Sequence, residues 1–309
     1  MRKFVKKNMK KNMVKLLATV CMAATLFSGC GTKEEKEKLV IAYAPNESTE
    51  ESADARAGLA EDLEAALGVE VEEIQASDYN AIVEALRTGK ADAAYIGALA
   101  ISYASERAEA IPVAMKAPDR DKSQAVYRSL LITSSSNEEI NSIADIKGKT
   151  IAFVDPESTS GNLFPSYEII KAFPEENLTS DDLHTNGKFF EAASYSGKHQ
   201  AGLQAVIRGD VDVVPISDQI MKAEFENGNA NEADVKVIHE SEPIPAEAFV
   251  VSKNMSEEMR EKFQEFLVNY ENEEYFEKVI KVSNARFIEA SIEDYQIVID
   301  LNKTMGTEE

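Results

Sequence analysis

Short apolar runs alternate along this chain with longer stretches in which apolar residues recur every three to four positions. Lys38–Tyr43 and Thr150–Val154 are runs of strand length. After the second run, Leu163, Phe164, Tyr167, Ile170 and Phe173 fall on one face of a helix. Pro165 comes early in that pattern, which predicts an irregular first turn or a regular helix beginning at Pro165. Between run and helix lies Asp155-Pro156-Glu157-Ser158-Thr159-Ser160-Gly161. Free N–H groups at a helix start, the positive end of its dipole and three hydroxyls suit an oxyanion. The turn holds no lysine and no Gly-x-x-x-x-Gly-Lys-Ser/Thr, so it is not a nucleotide P-loop. Ser and Thr are also ordinary helix caps, and the turn alone leaves both readings open.

The pattern repeats at an offset of 120 residues. Tyr79–Gly97 and His199–Ser217 each read as an amphipathic helix, a glycine stop and a short apolar strand carrying one Asp. Ala81, Ala85, Gly89, Asp92 and Ile96 recur as Ala201, Ala205, Gly209, Asp212 and Ile216. Upstream of each copy stands a strand, a polar loop and a helix: Pro45-Asn46-Glu47-Ser48-Thr49 with a helix to Leu67, and Pro156-Glu157-Ser158-Thr159-Ser160 with its helix. The same order of elements occurring twice predicts two α/β lobes. In open α/β sheets ligands bind at strand carboxyl ends and the following helix starts. That rule puts Asn46, Ser48, Thr49, Tyr79 and Tyr95–Leu99 on one face. It puts Ser158, Thr159, Ser160, His199, Ser217 and Asp218 on the other.

The N-terminus changes the picture of where the lobes work. Residues 1–15 hold seven basic and no acidic residues, and Leu16–Phe27 is an apolar run of 12 residues. That run is too short to span a bilayer and fits a signal-peptide core. It ends in Leu26-Phe27-Ser28-Gly29-Cys30-Gly31, which resembles a bacterial lipoprotein box with Phe27 at a position that usually holds Leu. Residues 1–29 are read as the signal peptide, Cys30 as the lipidated residue and 30–38 as a tether. Cys21 would be removed and Cys30 acylated, leaving no thiol or disulfide, so the lobes rely on their core. Net charge is −22, and removing the seven N-terminal cations leaves −29. Nucleic acid is thereby excluded as a partner. An anionic ligand is not, because charges beyond a Debye length of about 8 Å are screened.

Four stretches resemble the solute-binding proteins of bacterial ABC importers for phosphonate, phosphite, phosphate and related phosphorus oxyanions. They are Asp78-Tyr79 through Asp92 with Tyr95-Ile96-Gly97; Ile143 through Phe153; Asp155 through Asn162; and Tyr195-Ser196-Gly197-Lys198-His199 through Asp212. The hydroxyl turn combined with Gly-Lys-His is the most specific of them. The resemblance implies an α/β, two-lobed periplasmic binding protein-like fold of type II with the ligand cleft between the lobes. Lobe 1 would hold 39–130 and 246–309, and lobe 2 would hold 131–245. Crossings would fall near Arg128–Thr133 and Pro243–Phe249. Acidic helices at about Ser256–Asn269, Glu273–Val282 and Ile292–Asn302 would pack on lobe 1. Carried over residue by residue, Ser158, Thr159 and Ser160 match the oxyanion turn, His199 the family histidine, Tyr79 and Tyr95 lobe 1 contacts, and Asp218 a nearby carboxylate. Gly97-Ala98 departs from the family's usual Gly-Pro.

The implied partners are a small phosphorus oxyanion, an ABC permease and ATPase, and the extracytoplasmic face of the cell membrane through the lipid anchor. No cofactor, metal or catalysis is expected. The chain offers no His-Glu-x-x-His and no Gly-x-Ser-x-Gly elbow, and His184 and His239 sit in polar or strand-edge contexts. Two alternatives stay open at this point: a receptor for another small anion such as a sulfonate, and a ligand-sensing surface lipoprotein.

Overall fold

The computed structural model describes residues 38–47 and 49–306. The expected signal peptide, Cys30, all of the tether but Lys38, and Ser48 lie outside the described residues. The strands are β1 (Lys38–Tyr43), β2 (Glu70–Gln75), β3 (Ala93–Ile96), β4 (Ile111–Pro118), β5 (Val126–Tyr127), β6 (Ser129–Ser134), β7 (Thr150–Phe153), β8 (Ala192–Tyr195), β9 (Val214–Ser217), β10 (Val235–Glu240), β11 (Ile244–Pro245), β12 (Ala248–Val251) and β13 (Ala285–Glu289).

Six strands form the first sheet, in the order β13-β4-β12-β3-β1-β2. Here β1 pairs in parallel with both β2 and β3, and β12 runs antiparallel to β3 and β4. The short strand β3 is buried on both faces, so its residues read as a continuous apolar run. Its side chains still alternate. Ala94 and Ile96 join one core, with Tyr79, Leu99 and Tyr127; Ala93 and Tyr95 join the other, with Phe249, Phe263 and Phe287. Phe249 sits at the centre of that second core, with the rings of Tyr43, Tyr95, Phe263 and Phe287 at 5.2–6.4 Å. Truncating such a residue costs about 3–5 kcal/mol.

The second half is built on β10-β6-β9 and on the parallel pair β7-β8, joined by a single bridge between Ile151 and Val213. Between the halves lies the two-stranded ribbon β5-β11, where Ile244 pairs with Tyr127 and Pro245 with Val126. The chain therefore leaves the first sheet after β4 and returns through β11, and the two crossings are hydrogen-bonded to each other.

The repeated residues have matching structural duties. Asp92 accepts the Val40 N–H at 2.8 Å, and Asp212 accepts the Thr150 N–H at 2.8 Å; each pins the strand that opens its copy of the repeat. Gly89 and Gly209 follow the helices Tyr79–Arg87 and His199–Arg208 with φ of 70° and 75°, a left-handed geometry that glycine adopts without strain. Beyond the repeat, the helices Glu257–Val268, Glu273–Lys278 and Gln296–Gly306 stand where the acidic C-terminal pattern predicts them. The last begins later than expected because a 3-10 turn, Ile292–Tyr295, precedes it.

Candidate functional site: an interlobe anion cavity

The hydroxyl turn forms the floor of the site. β7 ends at Phe153, and Ser158 caps a π-helical turn, Thr159–Leu163, which runs into the regular helix Phe164–Ala172 with Pro165 in its first turn. The irregular start is the one Pro165 predicts. Ser158 Oγ accepts the Gly161 N–H at 3.0 Å. Gly161 is required here because a Cβ would fall 2.3 Å from the Cβ of Val154. The N–H groups of Thr159 and Ser160 open the turn and meet no acceptor among the described residues. Ser158, Thr159 and Ser160 are 2–3% exposed.

His199 begins the next helix of this half and is 2% exposed. Its Nδ1 accepts the Ser217 N–H at 3.3 Å, and its Nε2 lies 3.3 Å from Ser160 Oγ. With Nδ1 accepting, the proton of the neutral ring sits on Nε2 and is donated to Ser160. The Ser160 and Thr159 hydroxyls also bond the Tyr127 phenol. Burial pushes the imidazole down to about 4, and a Pro215 carbonyl opposes this only in part, so the ring is neutral at physiological pH.

The first half closes over this floor. Asn46 Oδ1 accepts the His199 N–H at 3.1 Å, and the Asn46 carbonyl accepts from Gln200 at 3.4 Å. Asn46 also donates its amide to the hydroxyl of Tyr79, which stands at the start of its own helix. Thr159 Oγ1 accepts the Leu99 N–H at 2.9 Å, and Arg107 pairs with Glu157 at 3.0 Å. These contacts run from half to half, so the cleft is closed.

A cavity remains between the halves, lined by Asn46, Glu47, Tyr79, Tyr127, Ser158–Ser160, His199 and Glu247, with Ala44, Gly97 and Ile220 filling the wall. The cavity is small and suits a compact ion, not a cofactor. A wider groove between Leu67 and Phe266 holds none of these hydroxyl or imidazole groups. The cavity lining contains no arginine and no lysine. Behind the lining, the buried Lys116 pairs with Glu247 at 2.6 Å, and the buried Arg56 donates to the Glu47 carbonyl at 2.7 Å.

Of the sequence-predicted residues, the structure brings Tyr79, Ser158, Thr159, Ser160 and His199 together around one cavity. Tyr95 is not among them. The alternation along β3 turns its ring into the opposite core, against Phe249 at 5.2 Å, and its buried hydroxyl has no hydrogen-bond partner. Asp218 also stands off the cavity. Its Oδ1 accepts the N–H groups of Arg128 at 3.1 Å and Gln219 at 2.8 Å, and its own N–H donates to Arg128. It anchors the first crossing to the helix Asp218–Glu226. Three lining groups escape the sequence reading: Tyr127 on the connecting ribbon, Glu47 in the first polar loop, and Glu247 beside the second crossing. Burial raises the Tyr127 phenol far above its ordinary range, so it faces the cavity as a neutral O–H.

The profile of the family described as the periplasmic substrate-binding proteins of phosphonate ABC transporters matches residues 41–295. The chain belongs to that family. It is 26% identical over 267 residues to the phosphate-import protein PhnD of Mycolicibacterium smegmatis, covering 86% of this chain and 82% of that one. It is 28% identical over 251 residues to the phosphonates-binding periplasmic protein of Escherichia coli, covering 80% and 70%. Among solved structures, the binding-protein component of a Pseudomonas aeruginosa ABC phosphonate transporter superposes with a TM-score of 0.75 at 24% identity, covering 87% of each chain. PhnD1 of Prochlorococcus marinus, solved with methylphosphonate, gives 0.73 at 20% identity, covering 87% and 98%. These superpositions establish the two-lobed fold of type II. Membership of this phosphonate-binding family makes the chain an extracytoplasmic substrate-binding protein of an ABC importer.

Proposed function

We propose that the chain captures a small phosphorus oxyanion (phosphonate, phosphite or phosphate) in the interlobe cavity and delivers it to its permease without altering it. The observation that carries this reading is the turn Ser158–Ser160. Three hydroxyls and two unengaged N–H groups converge on an ion-sized void lacking arginine and lysine. Such a site holds charge by hydrogen bonds, each charge-assisted when the acceptor is an oxyanion. The neutral His199 ring supports it by holding the Ser160 hydroxyl at the cavity. Tyr79 and Tyr127 add phenol donors from the first half and the ribbon.

In the same reading, lobe 1 comprises 39–130 and 246–309, lobe 2 comprises 131–245, and closure occurs about the β5-β11 ribbon. Cys30 carries the lipid that holds the protein at the membrane surface. Calorimetric titration of the mature protein with phosphite, methylphosphonate, 2-aminoethylphosphonate, phosphate and sulfate tests the reading. Binding of one or more phosphorus oxyanions in preference to sulfate is expected. Heat with sulfate alone, or with none of the five, contradicts it.

A further inference from the structure

The cavity has two carboxyl groups in its wall, Glu47 and Glu247, although its floor is built for an anion. Glu247 is neutralised by Lys116 at 2.6 Å. Glu47 has no ion pair within 4 Å among the described residues; the Ser52 and Arg56 side chains beside it bind its backbone carbonyl, not its carboxyl. A bare carboxylate and a bound oxyanion in one closed void of this size would repel each other, with no cationic lining group to offset it. The arrangement is satisfied if Glu47 carries a proton.

We propose, resting on the phosphorus-oxyanion reading above, that Glu47 is a specificity-determining residue that enters the liganded site protonated and donates its O–H to an oxyanion oxygen. One proton is then bound with each ligand once the free Glu47 is ionised. No covalent bond is made or broken; the proton comes from solvent and stays between the carboxyl and the anion.

The groups facing Glu47 agree with this. Glu247 beside the second crossing disfavours its ionisation. Lys116 on β4 and Lys281 ahead of β13 favour it, but Lys116 is held by Glu247. The His199 ring across the void is neutral. Part of the Glu47 residue remains exposed, yet burial of the carboxyl, then the Glu247 charge, push it up to about 8. A bound anion favours the protonated form, so affinity is full below pH 8 and falls as pH rises through it.

The experiment compares wild type and Glu47→Gln by titration with methylphosphonate at pH 7 and pH 9. The amide keeps a donor that does not titrate, and the ligand's own ionisation is common to both proteins. The ratio of wild-type Kd to variant Kd is expected to rise roughly tenfold between the two pH values. A ratio that stays constant overturns the proposal. If the variant does not fold, wild type titrated at pH 9 in two buffers of different ionisation heat decides: uptake of close to one proton supports the proposal, and none overturns it. Failure of wild type to bind methylphosphonate, phosphite or phosphate at any pH would instead sink the functional reading itself.

Discussion

The two halves of this molecule share a plan but not a chemistry. In each, a strand leads through a polar loop to a helix, and a second helix begins with a cavity-lining ring, Tyr79 in the first half and His199 in the second. In each, a repeated Asp ties a later loop to the strand that opens the repeat. The loops diverge. Where the second half presents Ser158, Thr159 and Ser160 on a π-turn, the first presents Asn46 and Glu47 ahead of a short 3-10 turn, Glu50–Ser52. Three hydroxyls come from one side, and an amide and a carboxyl come from the other. A duplicated scaffold thus supplies symmetry of position, and the loop residues break it into a hydroxyl face and an amide-carboxyl face.

The largest effect is expected at the hydroxyl face. Each charge-assisted hydrogen bond contributes about 1.5–3 kcal/mol, so Ser158→Ala with Ser160→Ala together should weaken phosphorus-oxyanion binding at least roughly 100-fold by calorimetry. An unchanged Kd would move the site elsewhere. The shared scaffold is tested next. Asp212 bonds both the N–H and the Oγ1 of Thr150 at 2.8 Å, whereas Asp92 bonds only the Val40 N–H on the matching strand. Losing such an acceptor leaves donors unpaired at about 1–3 kcal/mol. Asp212→Ala should therefore lower stability in urea unfolding more than Asp92→Ala, and equal costs would refute the asymmetry. The smallest effect is expected at Tyr95. Its hydroxyl is unpaired behind the cavity wall, so Tyr95→Phe should leave affinity within about threefold, roughly 0.6 kcal/mol. A larger loss would return Tyr95 to the site.

Much of this plan is legible in the residues. The repeat exposes the glycine stops, the paired Asp residues and the matching ring positions, because periodicity and helix-stop chemistry are local. Ser158–Ser160 and His199 are found by the same route, since strand-end rules act on sequence neighbours. Tyr95 misleads because β3 is buried on both faces, and a short run apolar throughout does not reveal which residue faces which side. Asp218 misleads because a carboxylate at a strand end serves equally as a backbone anchor. Tyr127, Glu47 and Glu247 are brought together only by the folding of the ribbon and the closure of the halves. Nothing local marks a tyrosine on a two-residue strand, or two glutamates separated by the whole of the second half, as neighbours.

The central claim, that the hydroxyl turn holds the anion while the opposite face reads it, is tested most directly by a crystal structure of the protein with methylphosphonate. The account predicts phosphonate oxygens within hydrogen-bond distance of Ser158, Thr159 and Ser160, with Glu47 contacting one oxygen from the first half. A phosphonate seated outside this cavity, or bound there without the hydroxyl turn, would contradict it.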